Sequence, residues 1–174
     1  MAINSTIIKV SLNIADMDRH YYQNHDLTVA QHPSETDFRL MVRLIAFMVN
    51  ANERLSFTKG LCSDDEPELW QKTLTGDIDL WIDLGQPDEK RIRKACGRAK
   101  QVIIYTYHER KAKVWWQQQQ KKLQRFSNLS VWHINAQGVD SMLKRTMQLQ
   151  CNIQDGEIYL NDDNSNFNIT LERL

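Results

Sequence analysis

The chain has 174 residues, enough for one domain with a substantial buried core. Its 22 Lys and Arg balance its 22 Asp and Glu, so the formal net charge of +0 gives no sign of a general attraction to polyanions, although it leaves room for a local basic patch. No apolar stretch reaches the roughly 20 residues that a membrane span needs, and three well-separated cysteines argue against a disulfide framework or a zinc site, so we expect a cytoplasmic protein with buried thiols.

Hydrophobic periodicity predicts a β-hairpin, a helix and three strands in the first half of the chain. Residues 5–14 alternate as a strand, and 15–31 contain a turn and a second strand. An apolar stripe at helical spacing predicts a helix over 34–50, with Ser34 as its N-cap. The strands that follow are predicted at residues 53–61, 69–76 and 77–85.

The second half alternates helices with strands. One helix is predicted to begin at Asp88, a second covers 109–127, and a short one covers 138–147. An Asp155-Gly156 pair predicts the tight turn of a C-terminal hairpin. The remaining strands are predicted at residues 101–108, 128–135, 148–154, 157–162 and 167–174.

This order predicts a mixed α/β (α+β) fold in a single domain covering 1–174. A strand–helix–strand crossover in the middle of the chain requires parallel pairing there, whereas the hairpins at both ends require antiparallel pairing. We therefore expect a mixed central β-sheet flanked by helices.

The strand at 77–85 carries an unusual set of acids. Asp77, Asp79 and Asp83 alternate with apolar residues, so all three share one face of the strand. The face is either solvated or part of a metal site. The familiar catalytic motifs of zinc peptidases, serine hydrolases, P-loop proteins and dinucleotide-binding proteins are missing from the sequence.

Four long segments together resemble the bacterial YaeQ family: "HPSETDFRLMVRLIAF", "ERLSFTKGLCSDDEPELW", "DLWIDLGQPDEKRIRKA" and "NLSVWHI". The likeness extends to the C-terminal "LQCNIQDGEIYL" and covers essentially the whole chain. The family is largely uncharacterised, and its fold is described as a variation on the PD-(D/E)XK nuclease core. That core has a helix, three strands, a helix and a strand, which is the order predicted for residues 34–108.

The resemblance implies a set of site residues for Mg²⁺ or Mn²⁺. Glu35 would be the helix acid, Asp83 the acid of the third strand, and Glu68 or Asp79 the acid of the second strand. The sequence departs from the nuclease pattern where Gly85 stands in place of Lys. The resemblance then implies that Arg91 or Lys94, on the following helix, supplies the missing cation.

Geometry ranks these candidates. Asp79 and Asp83 lie about 13 Å apart along a strand, too far to share one ion, so Glu68 and Glu35 are the better partners of Asp83. On a helical wheel Arg91 lies on the flank of the buried stripe and Lys94 lies on the exposed side, which slightly favours Arg91.

Each of these residues also has a purely structural interpretation. Asp83 is equally explained as a capping acid or as the ion-pair partner of Arg91. Glu35, Arg39 and Arg43 have the i, i+4 spacing of an exposed salt-bridge ladder.

The segment 109–127 mixes Lys111, Lys113, Lys121, Lys122 and Arg125 with a Trp pair. This composition suits either single-stranded nucleic acid or a helix whose tryptophans belong to the core. The core interpretation is the stronger of the two.

Three functions remain open on the sequence. The first is a Mg²⁺-dependent nuclease with a degenerate motif, using Glu35, Glu68, Asp83 and the cation of Arg91 or Lys94. The second is a catalytically inactive nucleic-acid-binding or transcription-related accessory protein. The third is a protein-interaction module.

Overall fold

The computed structural model describes residues 4–59 and 63–174, so the predicted thiol of Cys62 lies outside the described part of the chain. The strands are β1 Thr6–Asp16, β2 Tyr21–Gln31, β3 Leu55–Phe57, β4 Leu69–Lys72, β5 Ile78–Leu84, β6 Ala99–Thr106, β7 Leu129–Asn135, β8 Thr146–Gln154, β9 Glu157–Asn161 and β10 Asn166–Arg173. The α-helices are α1 Asp37–Asn50, α2 Glu89–Arg98 and α3 Glu109–Leu123. These elements confirm the predicted mixed α+β class. Among the described residues, none of the helices is both long and apolar enough to cross a membrane.

The chain divides into two compact units. The first unit comprises Met1–Met48 and Ala136–Thr170, and the second comprises Val49–Asn135 and Leu171–Leu174. The assignment of one domain to residues 1–174 stays a prediction.

The strands of the first unit lie in the order β2-β1-β8-β9-β10. Antiparallel pairing of β1 with β2 confirms the N-terminal hairpin. Antiparallel pairing of β8 with β9 confirms the C-terminal hairpin, whose turn residues Asp155 and Gly156 have φ of 53° and 78°. The parallel pairing of β1 with β8 joins two strands that are distant in sequence, and no local pattern indicated it.

Strand alternation explains the core of this unit. In β1 the residues Ile8, Val10, Leu12 and Ile14 are buried, and the residues between them face outward. Cys151 on β8 is fully buried, and this burial raises the pKa of its thiol to about 12. The prediction of a buried thiol is confirmed for Cys151.

Helix α1 begins later than predicted and is more deeply buried. It begins at Asp37, and the Thr36 hydroxyl accepts a hydrogen bond from the Arg39 backbone N–H at 3.2 Å, so the prediction of Ser34 as N-cap is wrong. All residues from Leu40 to Met48 are buried, including a charged one. A helix buried on all sides is embedded in the core rather than lying on its surface.

The strands of the second unit lie in the order β7-β6-β5-β4-β3. Strands β3, β4 and β5 pair antiparallel, and β5, β6 and β7 pair parallel, with α2 and α3 as the connections. The predicted parallel crossover is confirmed. From α1 to β6 the elements follow the predicted order of helix, three strands, helix and strand. Their equivalence to a PD-(D/E)XK core stays a prediction.

Strand β5 is covered on both faces. Trp81, on the acid-bearing face, is 1% exposed and packs in a cluster with Ala95 of α2. Asp83, on the same face, is 3% exposed. The face that carries the acids is therefore not solvated at this end of the strand.

The predicted short helix at 138–147 is reduced to one 3₁₀ turn at Val139–Met142, because β8 already begins at Thr146.

Replacement of a core residue of β1 tests the fold of the first unit. We expect Leu12→Ala, at a position 1% exposed, to lower the free energy of unfolding by about 2–5 kcal/mol, because it removes buried methyl groups and leaves a cavity. The matched control Thr28→Ala, on the exposed face of β2, should change it by less than about 1 kcal/mol. Urea unfolding followed by circular dichroism measures both, and equal losses would contradict the assignment of the two faces.

Candidate functional site

The centre of the candidate site is a bidentate ion pair between β5 and α2. Arg91 Nε donates to Asp83 Oδ2 at 2.8 Å, and Arg91 Nη2 donates to Asp83 Oδ1 at 2.9 Å. The Asp83 side chain is 4% exposed and the Arg91 side chain 27% exposed. Two parallel N–H···O bonds to one carboxylate are among the strongest charge-assisted contacts in proteins.

Arg91 also binds the backbone of residues 63–68, which precede β4 and are here called the acidic loop. Its Nη1 and Nη2 donate to the backbone carbonyls of Asp64 and Glu66, at 3.3 and 2.9 Å. Its backbone N–H donates to the N-cap carboxylate of Asp88 at 2.8 Å, which places Arg91 in the first turn of α2. The hydrogen bonds that Arg91 donates to Asp83 raise the pKa of Arg91, with a smaller electrostatic contribution from Glu68. Arg91 therefore stays charged at any physiological pH.

Glu68 lies beside the same end of β5. It precedes Leu69, which pairs with Ile82, and its own N–H donates to the Ile82 carbonyl at 2.9 Å. Glu68 is 6% exposed. The second unit thus brings together three of the predicted residues, Glu68, Asp83 and Arg91.

Lys94 and Asp79 belong to other, exposed ion pairs. Lys94 Nζ binds Asp65 Oδ1, and this contact lowers the pKa of Asp65. Asp79 pairs with Lys100 at 2.6 Å and with Arg54 at 3.7 Å. Of the two predicted cations, Arg91 is the one that contacts Asp83, as the helical wheel indicated.

Glu35 belongs to the first unit, where it precedes α1. Its carboxylate accepts hydrogen bonds from Arg39 and Arg43 at 2.8 and 2.9 Å, and Arg43 also donates to the Ala30 carbonyl at 2.9 Å. The predicted ladder exists, but its prediction as an exposed ladder is wrong: Glu35 and Arg43 are 6% and 4% exposed.

Gly85 occupies a backbone position that disfavours the Lys of the nuclease pattern. Its φ is +90°, a conformation that residues with a Cβ rarely adopt, and its N–H donates to the Tyr105 carbonyl at 2.8 Å. A lysine at this position would require a different turn at the end of β5.

The donor set does not fit a divalent metal as it stands. Both oxygens of Asp83 accept hydrogen bonds from a guanidinium, whose positive charge would repel a divalent cation at the same carboxylate. Over residues 4–59 and 63–174, no three His, Cys, Asp or Glu side chains are grouped closely enough to hold a metal ion. The hydrogen bonds of Arg91 instead join β5, α2 and the acidic loop.

A second feature is the uneven distribution of charge between the two units, which the net charge of the whole sequence does not show. The first unit has 6 Lys and Arg against 10 Asp and Glu, a net charge of −4, and the second has 16 against 12, a net charge of +4. Residues 90–125 alone contain twelve Lys and Arg and a single acid, Glu109. A local charge count would have found this excess, which the balanced total conceals.

Four of these twelve cations share one exposed face of α3, here called the α3 basic face. At 100° per residue its members fall within an arc of about 120°. They are four cations and the two uncharged residues between them: Arg110, Lys111, Val114, Gln118, Lys121 and Lys122. All six are exposed, and within the described residues none of the four cations forms an ion pair. Trp115, by contrast, is 8% exposed and packs with Ile92 of α2, which confirms its predicted core role.

A shallow cavity of about 420 Å³ opens on this face. It is lined by Arg110, Lys111, Val114, Trp115, Gln118 and Gln86. Val114 is 53% exposed, so the cavity combines an apolar floor with a cationic rim.

Known proteins match the chain over nearly its whole length. The family model described as "YaeQ protein" matches residues 1–171. "Uncharacterized protein YaeQ" of Escherichia coli (strain K12) is 50% identical over 174 residues, covering 98% of this chain and 96% of that protein. The Salmonella typhi protein of the same name is 49% identical over 175 residues, with the same coverage.

Two crystal structures have the same fold as this chain. YaeQ from Xanthomonas axonopodis pv. citri has a TM-score of 0.94 at 45% identity, covering 98% of each chain. YaeQ from Pseudomonas syringae has a TM-score of 0.92 at 31% identity, covering 98% of this chain and 96% of that one.

Breaking the Asp83–Arg91 pair tests its structural role. We expect Asp83→Asn to lower the free energy of unfolding by about 3 kcal/mol, because it leaves a guanidinium facing a largely buried site without its counter-charge. The paired change Asp83→Leu with Arg91→Met should recover only part of that loss, because it removes the unpaired charge but also the hydrogen bonds from Arg91 to the Asp64 and Glu66 carbonyls. The exposed pair provides the control: Glu109→Gln, which removes the partner of Lys113, should leave the free energy of unfolding close to the wild-type value. Equal effects of Asp83→Asn and Glu109→Gln in urea unfolding would contradict the role assigned to Arg91.

Proposed function

This chain belongs to the YaeQ family, and from that premise we propose that it binds nucleic acid through the α3 basic face and does not cleave it. The proposal corresponds to the inactive accessory protein among the three functions considered above. One observation carries it: four exposed cations share a single helix face that holds no acid.

The spacing of these cations suits a phosphate backbone. Arg110 and Lys121 are separated by about 16 Å along the helix axis, and the phosphates of one B-DNA strand rise about 3.4 Å each. The face therefore spans several consecutive phosphates. Contacts of this kind release condensed counterions and are independent of sequence, so affinity should fall steeply with salt.

The state of Asp83 argues against cleavage. A metal ion would have to displace two charge-assisted hydrogen bonds from a guanidinium that also holds two backbone carbonyls. Without a metal-bound water, hydrolysis by this route lacks its nucleophile. With Gly85 in place of the Lys of the nuclease pattern, the end of β5 also lacks a cation that would stabilise charge on the phosphate.

Neutralising two cations of the α3 basic face tests the binding. We expect the variant Lys121→Gln/Lys122→Gln to bind fluorescein-labelled duplex DNA more weakly at low salt, and to lower the slope of log affinity against log salt by about 2, since each lost phosphate contact contributes about 0.9. Fluorescence anisotropy over a series of NaCl concentrations measures both quantities.

Lys113→Gln is the matched control on the same helix. Lys113 lies off the basic face and pairs with Glu109 at 2.7 Å, so its loss should leave the salt slope close to the wild-type value. The proposal fails if the double variant binds like wild type, or if Lys113→Gln lowers the slope by as much per charge.

Metal titration separates binding from cleavage. We expect calorimetry to detect no binding of Mg²⁺ or Mn²⁺ that depends on Asp83, so wild type and Asp83→Ala should give the same heats. Incubation of wild type with single- and double-stranded DNA and RNA plus Mn²⁺ should leave all four intact. Metal binding that Asp83→Ala abolishes, together with cleavage, would restore the nuclease hypothesis with Glu68 and Asp83 as ligands.

A further inference from the structure

The exposed face of the first unit's sheet carries a row of five side-chain amides, one from each strand. The strand register joins them directly: Asn24 pairs with Asn13, Asn13 with Gln150, Gln150 with Asn161, and Asn161 with Asn166. Cross-strand partners lie on the same face of a sheet. These five residues are called the amide row.

The row is unusual for its position. Asn is depleted in β-strands, where β-branched and aromatic residues are preferred, so four Asn and one Gln in a single line across five strands are not explained by strand propensity. The buried face of the same strands supplies the stability, with Leu12, Ile14 and Leu149 all at most 4% exposed. The side chains of the amide row are therefore not needed for the core and are available to bind a ligand.

A groove of about 540 Å³ lies over the row. Its lining includes Asn13, Asn24, Gln150 and Asn161, with Asp26 and Asp163 among the flanking acids. Asn13 Nδ2 donates to Asn24 Oδ1 at 2.6 Å, which uses one of its two hydrogens. Within the described residues, the buried Oδ1 of Asn161 receives no hydrogen bond.

A second row, two residues further along each strand, places tyrosines beside the amides. Tyr22 pairs with Ala15, Ala15 with Asn152, and Asn152 with Tyr159. The two tyrosines are 55% and 40% exposed. At about 4.8 Å per strand, three strand gaps separate them by about 14 Å.

We propose that the amide row and its two flanking tyrosines bind an extended neutral oligosaccharide. Each side-chain amide presents donors and an acceptor side by side, as do the vicinal hydroxyls of a sugar ring. The tyrosine faces offer flat apolar surfaces for the C–H face of a pyranose. Successive units of an extended β-linked sugar repeat at close to the strand spacing, so one unit meets one amide.

The charge of this unit selects against polyanions. Its net charge is −4, and Asp26, Asp162 and Asp163 line the groove, so phosphate or uronate groups would be repelled. The occupant is therefore neutral and differs from the nucleic acid proposed for the α3 basic face.

Titration of the ¹⁵N-labelled full chain with cellotetraose tests the inference. We expect saturable shifts of the side-chain NH₂ signals of the amide row, and no saturation with an oligogalacturonate of the same length. Gln150→Glu keeps the shape but removes both N–H donors, and should weaken binding about tenfold, the equivalent of about 1.4 kcal/mol. Tyr159→Ala should weaken it by a similar factor.

Thr146→Ala is the control on the same sheet face, two rows from Gln150, and should bind like wild type. All these positions are exposed or at the sheet surface, and the dispersion of each spectrum reports whether the variant is folded. Absence of saturable shifts with cellotetraose overturns the inference, as does equal weakening by Thr146→Ala and Gln150→Glu. Lys121→Gln/Lys122→Gln should retain sugar binding, so failure of either proposal is distinguishable from failure of the other.

Discussion

The forked contact between Arg91 and Asp83 is the interaction on which the second unit depends. One guanidinium joins the end of strand β5, the first turn of α2 and the backbone of the acidic loop. A carboxylate buried beneath a helix is costly without a counter-charge, and Arg91 provides it with two hydrogen bonds. The same contact disfavours a metal ion at Asp83, because the guanidinium places a positive charge beside both carboxylate oxygens.

The second organising feature is the partition of charge within a chain of zero net charge. Ten acids against six cations in the first unit, and sixteen cations against twelve acids in the second, give the two units opposite electrostatic preferences. The basic unit is suited to phosphates. The acidic unit presents neutral amides and tyrosines, which suit a neutral polyhydroxyl ligand. A protein whose overall charge predicts no partner can therefore offer two surfaces for different chemistries.

Much of the fold was predictable because its signals are local. The Asp155-Gly156 turn, the alternation of β1 and the apolar stripes of α1 and α2 each depend on a few neighbouring residues, and all of these elements formed. The site was predictable in part: Arg91 reaches Asp83 because both stand where the strand period and the helix period place them. The burial of Glu35 and Arg43 was not predictable, since i, i+4 charges look the same whether a helix is buried or solvated. The parallel pairing of β1 with β8 was not predictable either, because the two strands lie more than a hundred residues apart in the sequence.

The sequence by itself determined the elements, the two hairpins, the crossover and the family, because periodicity, turn chemistry and long shared motifs are all written along the chain. Only the tertiary structure decided which partner each charge and each amide received. Arg91 rather than Lys94 binds Asp83, Lys94 binds Asp65 instead, and five amides from five strands become one row. The physical reason is that ion pairs and cross-strand neighbours are set by distances through space between residues remote in sequence, which no local pattern contains.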